Sequence, residues 1–456
     1  MILKQCILMK RSLLLTLLLV QFLEPAAAQK ELPVMEVEAW VMSNHPLAKT
    51  AAAVEERGIA EALAGRAGLD PKFKLEYDRK NFKGTEYFDY GKAEISWQSP
   101  FAFQVAGGYQ IAEGSFLNDE RTLPANGQAY IALKIPLLRG LLVDATRIDL
   151  RRGELAVDRQ RAAADVIRND LRFDVRLRYL NWTFAAGTVN LNQDIETALL
   201  QRLVDNRQLV RQGDKPAVDT LEAAVNLGLQ RQTLAIARVD ADLARQSLAE
   251  LYWLLDNTDL PSDFSGSIGP LPDTSALSNH PQLAELALVL ADARLQLELK
   301  NEARKPELNL EYYLLGDGLG LPETDNVLQE SYKLGVTASY PLFNRKARAG
   351  AQISQLKVIE SGNKLIDKSQ ALQIKALAYR QAIADYGIQI VSGDVLVDQA
   401  ARLLAAEQEL FGLGESTQFL VNSRQQALLK ARLNLIKLVF MREKLAATYR
   451  YLLAVR

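Results

Sequence analysis

Only two histidines occur in this chain, His45 and His280, and each stands in the same tetrapeptide, Ser-Asn-His-Pro, at 43–46 and 278–281. A matched pair of imidazoles is the first candidate for acid–base or metal chemistry. Their neighbours point elsewhere. Asn44 and Asn279 are of a type that caps helices, and Pro46 and Pro281 suit a first helical turn. The expectation is two helix entries, capped by the asparagines. No zincin, nucleophile-elbow or Walker A pattern occurs. Gly316-Asp317-Gly318-Leu319-Gly320 has the look of a phosphate loop, but Pro322 and acidic residues follow it instead of a helix, so it reads as a surface hairpin loop. Asp317, Glu323 and Asp325 then read as solvated loop carboxylates and not as a cation site. Asn181-Trp182-Thr183 fits a glycosylation pattern but falls within a helical stretch and is discounted. The single cysteine, Cys6, lies in the N-terminal segment, so the remainder has no thiol nucleophile, thiolate ligand or disulfide. The expectation is a protein without catalytic residues, metal or cofactor, and so not an enzyme.

Charge excludes another class. The 54 Lys and Arg nearly balance the 55 Asp and Glu over 456 residues, which leaves no basic excess for nucleic acid. The N-terminus is a targeting segment. Lys4, Lys10 and Arg11 precede an apolar run, Ser12 to Leu23, and Ala26-Ala27-Ala28 offers a cleavage site before Gln29. The run is too short for the ~20 residues of a spanning helix. Residues 1–28 are expected to be a signal peptide. No later stretch is long and apolar enough to cross a bilayer as a helix, so membrane entry after export has to use strands.

The paired histidines also measure a duplication. Their offset is 235 (280 − 45), and Pro71, Leu75, Glu76 and Tyr77 map onto Pro306, Leu310, Glu311 and Tyr312 with the same step. Ile135-Pro136-Leu137-Leu138 then matches Tyr340-Pro341-Leu342-Phe343 at 205 (341 − 136), so the first copy carries 30 more residues between its prolines. Gly213 matches Gly414 at 201 (414 − 213). The first copy is expected over 29–277, with strands in 71–136 and a helical hairpin in 142–256. The second is expected over 278–456, with strands in 306–341 and a hairpin in 345–455.

Each copy holds a proline-free helical stretch of extreme length, about Leu142 to Arg211 and about Arg345 to Leu413. Roughly 70 residues correspond to ~105 Å of rod. Val175, Trp182, Val189, Leu203 and Val210 lie on a seven-residue step, and Ala376, Ile383, Ile390, Val397, Leu404 and Phe411 keep it in the second copy. A seven-residue apolar seam calls for a neighbouring helix. A Gly-containing break and a second helix follow, giving an antiparallel hairpin. The segments after Pro71 and Pro306 alternate instead. Phe73, Leu75 and Tyr77 face away from Lys74, Glu76 and Asp78, and Tyr332, Leu334, Val336 and Ala338 repeat the pattern. Two-faced strands suit either a soluble sheet or a barrel wall between lipid and water. The extra residues also alternate, so a further hairpin is expected at 86–114, in the wall or outside it.

In this order and duplication the chain resembles the TolC family of outer membrane efflux proteins over about Glu36 to Leu453. The resemblance implies a mainly helical fold with transmembrane strands. Long antiparallel coiled-coil helices form a periplasmic tunnel, and strands from a homotrimer close one barrel in the outer membrane. It implies a passive conduit in a tripartite efflux or type I secretion system, with a periplasmic adaptor, an inner membrane pump of RND or ABC type, and outer membrane lipid as partners. Gly213 and Gly414 become the hairpin tips that dock on the adaptor. Asp219, six positions after the first tip glycine, becomes a candidate periplasmic gate. The second copy departs there, with Leu420 at the matching position and Ser423 at a further one. Asp219 can equally be a carboxylate answering a helix dipole, and Arg211 an ion-pair partner or a solvated charge. The rival reading is a periplasmic coiled-coil scaffold or adaptor without channel activity.

Overall fold

The computed structural model describes residues 33–117, 122–213, 216–252, 271–320 and 331–454. The expected signal peptide with Cys6, the loop residues Glu323 and Asp325, and the tip residues Asp214 and Lys215 lie outside them. Seven α-helices and six strands are found among the described residues. They are α1 (Val34–Asn44), α2 (Pro46–Arg66), β1 (Lys72–Phe82), β2 (Thr85–Gln98), β3 (Gln104–Glu113), β4 (Gln128–Pro136), α3 (Ala145–Gln212), α4 (Ala217–Tyr252), α5 (Pro281–Glu302), β5 (Glu307–Leu315), β6 (Tyr332–Ser339), α6 (Arg345–Gly412) and α7 (Gln418–Leu453). The chain divides into two compact units that cut across the two sequence copies. One takes residues up to Ala48, Asn169–Asp273 and Lys375 onward; the other takes Lys49–Arg168 and Thr274–Ile374.

The helix entries are where the reading of the Asn-His-Pro motif needs correction. The caps are the histidines, not the asparagines. His45 Nδ1 accepts from the Leu47 amide at 3.2 Å, and His280 Nδ1 accepts from the Gln282 amide at 3.2 Å. The imidazole therefore satisfies an orphan N–H in the first turn of α2 and of α5, the usual work of a small oxygen side chain. Asn44 instead donates back to the Trp40 carbonyl of α1 at 3.0 Å.

The helical unit is closed by aromatic and aliphatic packing. Val37 and Val41 of α1, Leu171, Val175 and Trp182 of α3, and Leu248 and Leu251 of α4 form one buried cluster. Val175 and Trp182 belong to the seven-residue seam, so the seam does find a neighbour. Phe184 stacks on Phe440 and Phe173 on Tyr451, with ring centroids 4.4 and 4.5 Å apart. Buried Glu38 pairs with Arg172 at 3.3 Å and Arg176 at 2.9 Å, which fixes α1 to α3. Other apolar side chains stay exposed. Leu221, Val225, Leu229, Ile236, Val239 and Leu243 form an unpartnered stripe at helical spacing along α4.

In the other unit α2 and α3 pack at backbone contact. A Cβ on Gly65 would lie 2.6 Å from the Asp149 carbonyl oxygen. Arg168 of α3 reaches Glu55 of α2 with two parallel bonds, 2.8 and 2.9 Å. The six strands form one antiparallel sheet in sequence order, β1 to β6. The tight β1–β2 turn places Lys83 and Gly84 at φ 52° and 79°, the double positive φ that a two-residue hairpin with native twist requires. The extra hairpin is β2–β3, and it lies in the sheet itself, between β1 and β4. Strands β1 and β6 are left as edges.

Candidate functional site

Two regions carry features that a self-contained soluble fold does not need. The first is the sheet. Side chains alternate between its faces, and the distribution is opposite to that of a soluble sheet. The exposed face is apolar: Phe73 is 69% exposed, Leu75 70% and Val336 62%. The other face, sheltered only at its centre around Tyr130, 4% exposed, and Ala132, 1%, carries the charges, with Lys74 exposed on β1 at its margin. There Lys74 pairs with Glu76 at 3.0 Å, Lys92 with Glu94 at 2.8 Å and Lys134 with Glu311 at 3.2 Å. Water on the apolar face costs ~25 cal/mol for each Å² left uncovered, so that face needs an apolar surrounding.

The second region is the pair of helix reversals in the helical unit. Gly213 follows α3 with φ +81°, and Gly414 follows α6 with φ +80°. A left-handed residue at this point is what ends a helix and turns the chain. At the second tip the full pattern is present: the Gly414 amide donates to the Phe411 carbonyl at 3.1 Å and the Glu415 amide to the Leu410 carbonyl at 2.9 Å. At the first tip the Gly213 amide donates to the Val210 carbonyl at 3.1 Å. A Cβ at either glycine would meet nothing within 4 Å. The glycines are therefore required by backbone angle and not by crowding, and both tips are exposed. Thr417 caps α7 by accepting from the Leu420 amide at 3.4 Å.

Asp219 lies half-exposed in the first turn of α4. Among the described residues its carboxylate makes no hydrogen bond or ion pair; its backbone carbonyl accepts from Asn206 Nδ2 at 3.3 Å. Arg211 is exposed and likewise makes no ion pair among the described residues. The polar links near the tips are made by other side chains. Glu407 accepts from the Ser416 hydroxyl and from Arg424 Nε at 3.3 Å, and the Ser416 bond leads in holding its carboxyl below the ordinary range. Arg202 of α3 donates to Asn422 Oδ1 of α7, whose amide donates to Glu222 of α4 at 2.9 Å. Burial pushes the Arg202 guanidinium down from its usual pKa, since an amide and not a carboxylate answers it. This tie crosses between the two hairpins beside a groove of about 660 Å³ lined by Arg202, Asn206, Leu404, Phe411, Gln418 and Gln425. Arg202 and Asn422 were not singled out from sequence. Among the described residues no three potential metal ligands cluster, and no helix is long and apolar enough to cross a membrane.

No protein-family model matches the chain, and no curated protein matches it. Solved structures do. The outer membrane protein VceC of Vibrio cholerae has 11% identity and a TM-score of 0.68, covering 92% of this chain and 96% of that one. The CmeC outer membrane channel of Campylobacter jejuni has 13% identity and a TM-score of 0.66, covering 92% and 85%. The open-state MtrE outer membrane channel of Neisseria gonorrhoeae has 14% identity and a TM-score of 0.65, covering 92% and 88%. With helices and strands in the same arrangement over nearly all of both partners, the chain has the fold of the solved outer membrane channels, the TolC-type fold that its duplicated sequence resembles.

Proposed function

We propose that this chain is the outer membrane channel subunit of a tripartite efflux or type I secretion system, a passive conduit that carries small molecules or proteins out of the cell. The observation that carries this reading is the inverted sheet. Its apolar face is exposed, its charges lie on the opposite face, and among the described residues β1 and β6 each pair on one side alone. A sheet with open edges cannot rest in lipid, because each unpaired N–H and C=O would cost several kcal/mol there. Two further copies, making the three of the reading proposed, would pair β6 with β1 and close a wall. The apolar stripe on α4 then becomes a seam for a neighbouring copy.

The remaining roles follow from the same reading. Residues 1–28 are a cleaved signal, 29–277 and 278–456 are the two repeats, and the protein sits in the outer membrane and extends into the periplasm. The Gly213 and Gly414 tips dock on a periplasmic adaptor, which links them to an inner membrane pump of RND or ABC type. Asp219 is the candidate gate. The energy comes from the pump, and no reaction is assigned to this subunit. The scaffold reading is weakened by the exposed apolar sheet face, which an adaptor in water would have to bury. Fractionation with planar bilayer recording tests the choice. An oligomer in outer membrane extract that conducts ions is the expected result; a soluble periplasmic monomer that never conducts would sink the proposal.

A further inference from the structure

The sheltered face of the sheet carries more order than a water-filled lumen requires. In the strand register Lys74 stands opposite Glu94, Glu76 opposite Lys92, and Lys134 opposite Glu311. Each lysine therefore has a glutamate as its cross-strand neighbour, and the ion pairs formed are Lys74–Glu76 and Lys92–Glu94 along a strand and Lys134–Glu311 across strands. A tyrosine joins the two groups of pairs. Tyr130 of β4 reaches over β3 and donates to Glu94 of β2 at 2.6 Å, with Lys92 Nζ 5.4 Å from its ring centroid. On its other side the ring lies 5.9 Å from that of Tyr313, whose hydroxyl donates to Glu311 at 3.2 Å. The reach across β3 depends on one glycine. Gly108 lies between Glu94 and Tyr130 in the register, and a Cβ there would fall 2.5 Å from the Tyr130 oxygen. The belt thus runs from β1 to β5 and holds three lysines against three glutamates.

We infer that this belt, centred on Lys92, Glu94 and Tyr130, makes the sheet lumen blind to the sign of a solute's charge, so that it passes anions, cations and zwitterions alike. The inference rests on the channel reading above. A low-dielectric wall lined by one sign of charge focuses a field and concentrates the opposite ion. Paired charges a few ångströms apart cancel that field within a short distance, and salt screens what remains. Among the described residues the rest of the face carries Lys72, Lys80 and Lys333 against Asp78 and Glu307, a surplus of one cation, and Arg139 beside Glu307 makes it two, so the balance belongs to the belt and not to the margins. Tyr130 is the positioning residue: it ties Glu94 to the wall beside Lys92 and contributes no charge of its own.

The test is the reversal potential of the purified oligomer in planar bilayers under a potassium chloride gradient. The wild-type protein is expected to show a cation-to-anion permeability ratio near one. Glu94→Gln removes one of the belt's three carboxylates, the one 2.8 Å from Lys92, and should shift the ratio toward anions by about twofold or more. Lys92→Gln should shift it toward cations, and the Lys92→Gln/Glu94→Gln double variant should return it to the wild-type value. Lys134→Gln, at the other end of the belt, repeats the cation shift independently should either single variant fail to assemble. A strongly selective wild-type channel, or belt variants that leave the ratio unmoved while Asp219→Asn changes it, would overturn the inference and leave the channel reading standing. An inserted, folded oligomer that carries no current would overturn the channel reading and the inference together.

Discussion

Replacement of Gly414 separates what the tip backbone needs from what the tip surface does. At φ +80° an ordinary L-residue is strained by ~1–2 kcal/mol. No packing penalty adds to this, because the space where a Cβ would stand is empty to 4 Å. The two capping bonds, at 3.1 and 2.9 Å, use backbone atoms alone and survive the change. Gly414→Ala should therefore cost about 1 kcal/mol against a total of ~5–15 for a typical domain, and the protein should still fold. Gly414→Asn should cost less, since asparagine tolerates left-handed backbone. Gly414→Trp should cost about the same as alanine while placing a large ring on the exposed turn. Assembly is read from the oligomer in outer membrane extracts and from urea melts, and function from susceptibility or secretion in a deletion strain that keeps its own pump and adaptor. The expected result is assembly in all three variants with transport lost in Gly414→Trp alone. Full transport by Gly414→Trp would refute docking at this tip; loss of assembly in Gly414→Ala would refute the backbone argument.

Four other changes have defined outcomes. Trp182→Ala empties the centre of the α1–α3–α4 core and should cost ~3–5 kcal/mol in denaturant unfolding. Gly65→Val drives a side chain into the Asp149 carbonyl and should reduce assembled protein, whereas the same change at the open helical position Gly187 should be mild. Arg168 holds the Glu55 carboxyl below its ordinary value of 4.5, chiefly by its hydrogen bond. That contribution is present above the unfolded pKa and is lost as pH falls through the lowered one. Glu55→Gln should thus be less stable than wild type near neutrality, with the gap closing in acid melts. Burial raises Glu443 above 4.5 despite Arg442 and Arg450, so its contribution is full below the unfolded value and fades as pH rises through the folded one. Glu443→Gln should become progressively more stable than wild type as pH rises above about 4.5.

The elements that repeat locally were the legible ones. The seven-residue seam predicts long helices at 142–211 and 345–413, and α3 and α6 occupy 145–212 and 345–412. Proline-free length and a seam at fixed spacing are properties of the chain itself, so nothing distant can mask them. The tip glycines were legible for the same reason, because a helix end with positive φ has few residues to choose from. What depends on distant partners was not. Pattern alone could not say whether the 86–114 hairpin joins the sheet, since register with β1 and β4 decides it. Arg202 and Asn422 are 220 residues apart and do not occupy matching positions in the two copies, so the duplication gave no hint of their bond. The motif Ser-Asn-His-Pro was found but its parts were misassigned: propensity favours asparagine as a cap, yet here the imidazole nitrogen reaches the first-turn amide.

The place of the β2–β3 hairpin has a consequence for how such a wall can change. It lies between β1 and β4, in the interior of the sheet, and the strands at either margin are the first and the last. Two strands lengthen the arc contributed by one chain by about 10 Å. In the assembly proposed above, the joint with a neighbouring copy would involve only β1 and β6 and would keep its own residues and register. Circumference and assembly are therefore independent variables in this architecture. A wall of this kind can gain or lose staves without recutting the edges by which its sections are joined.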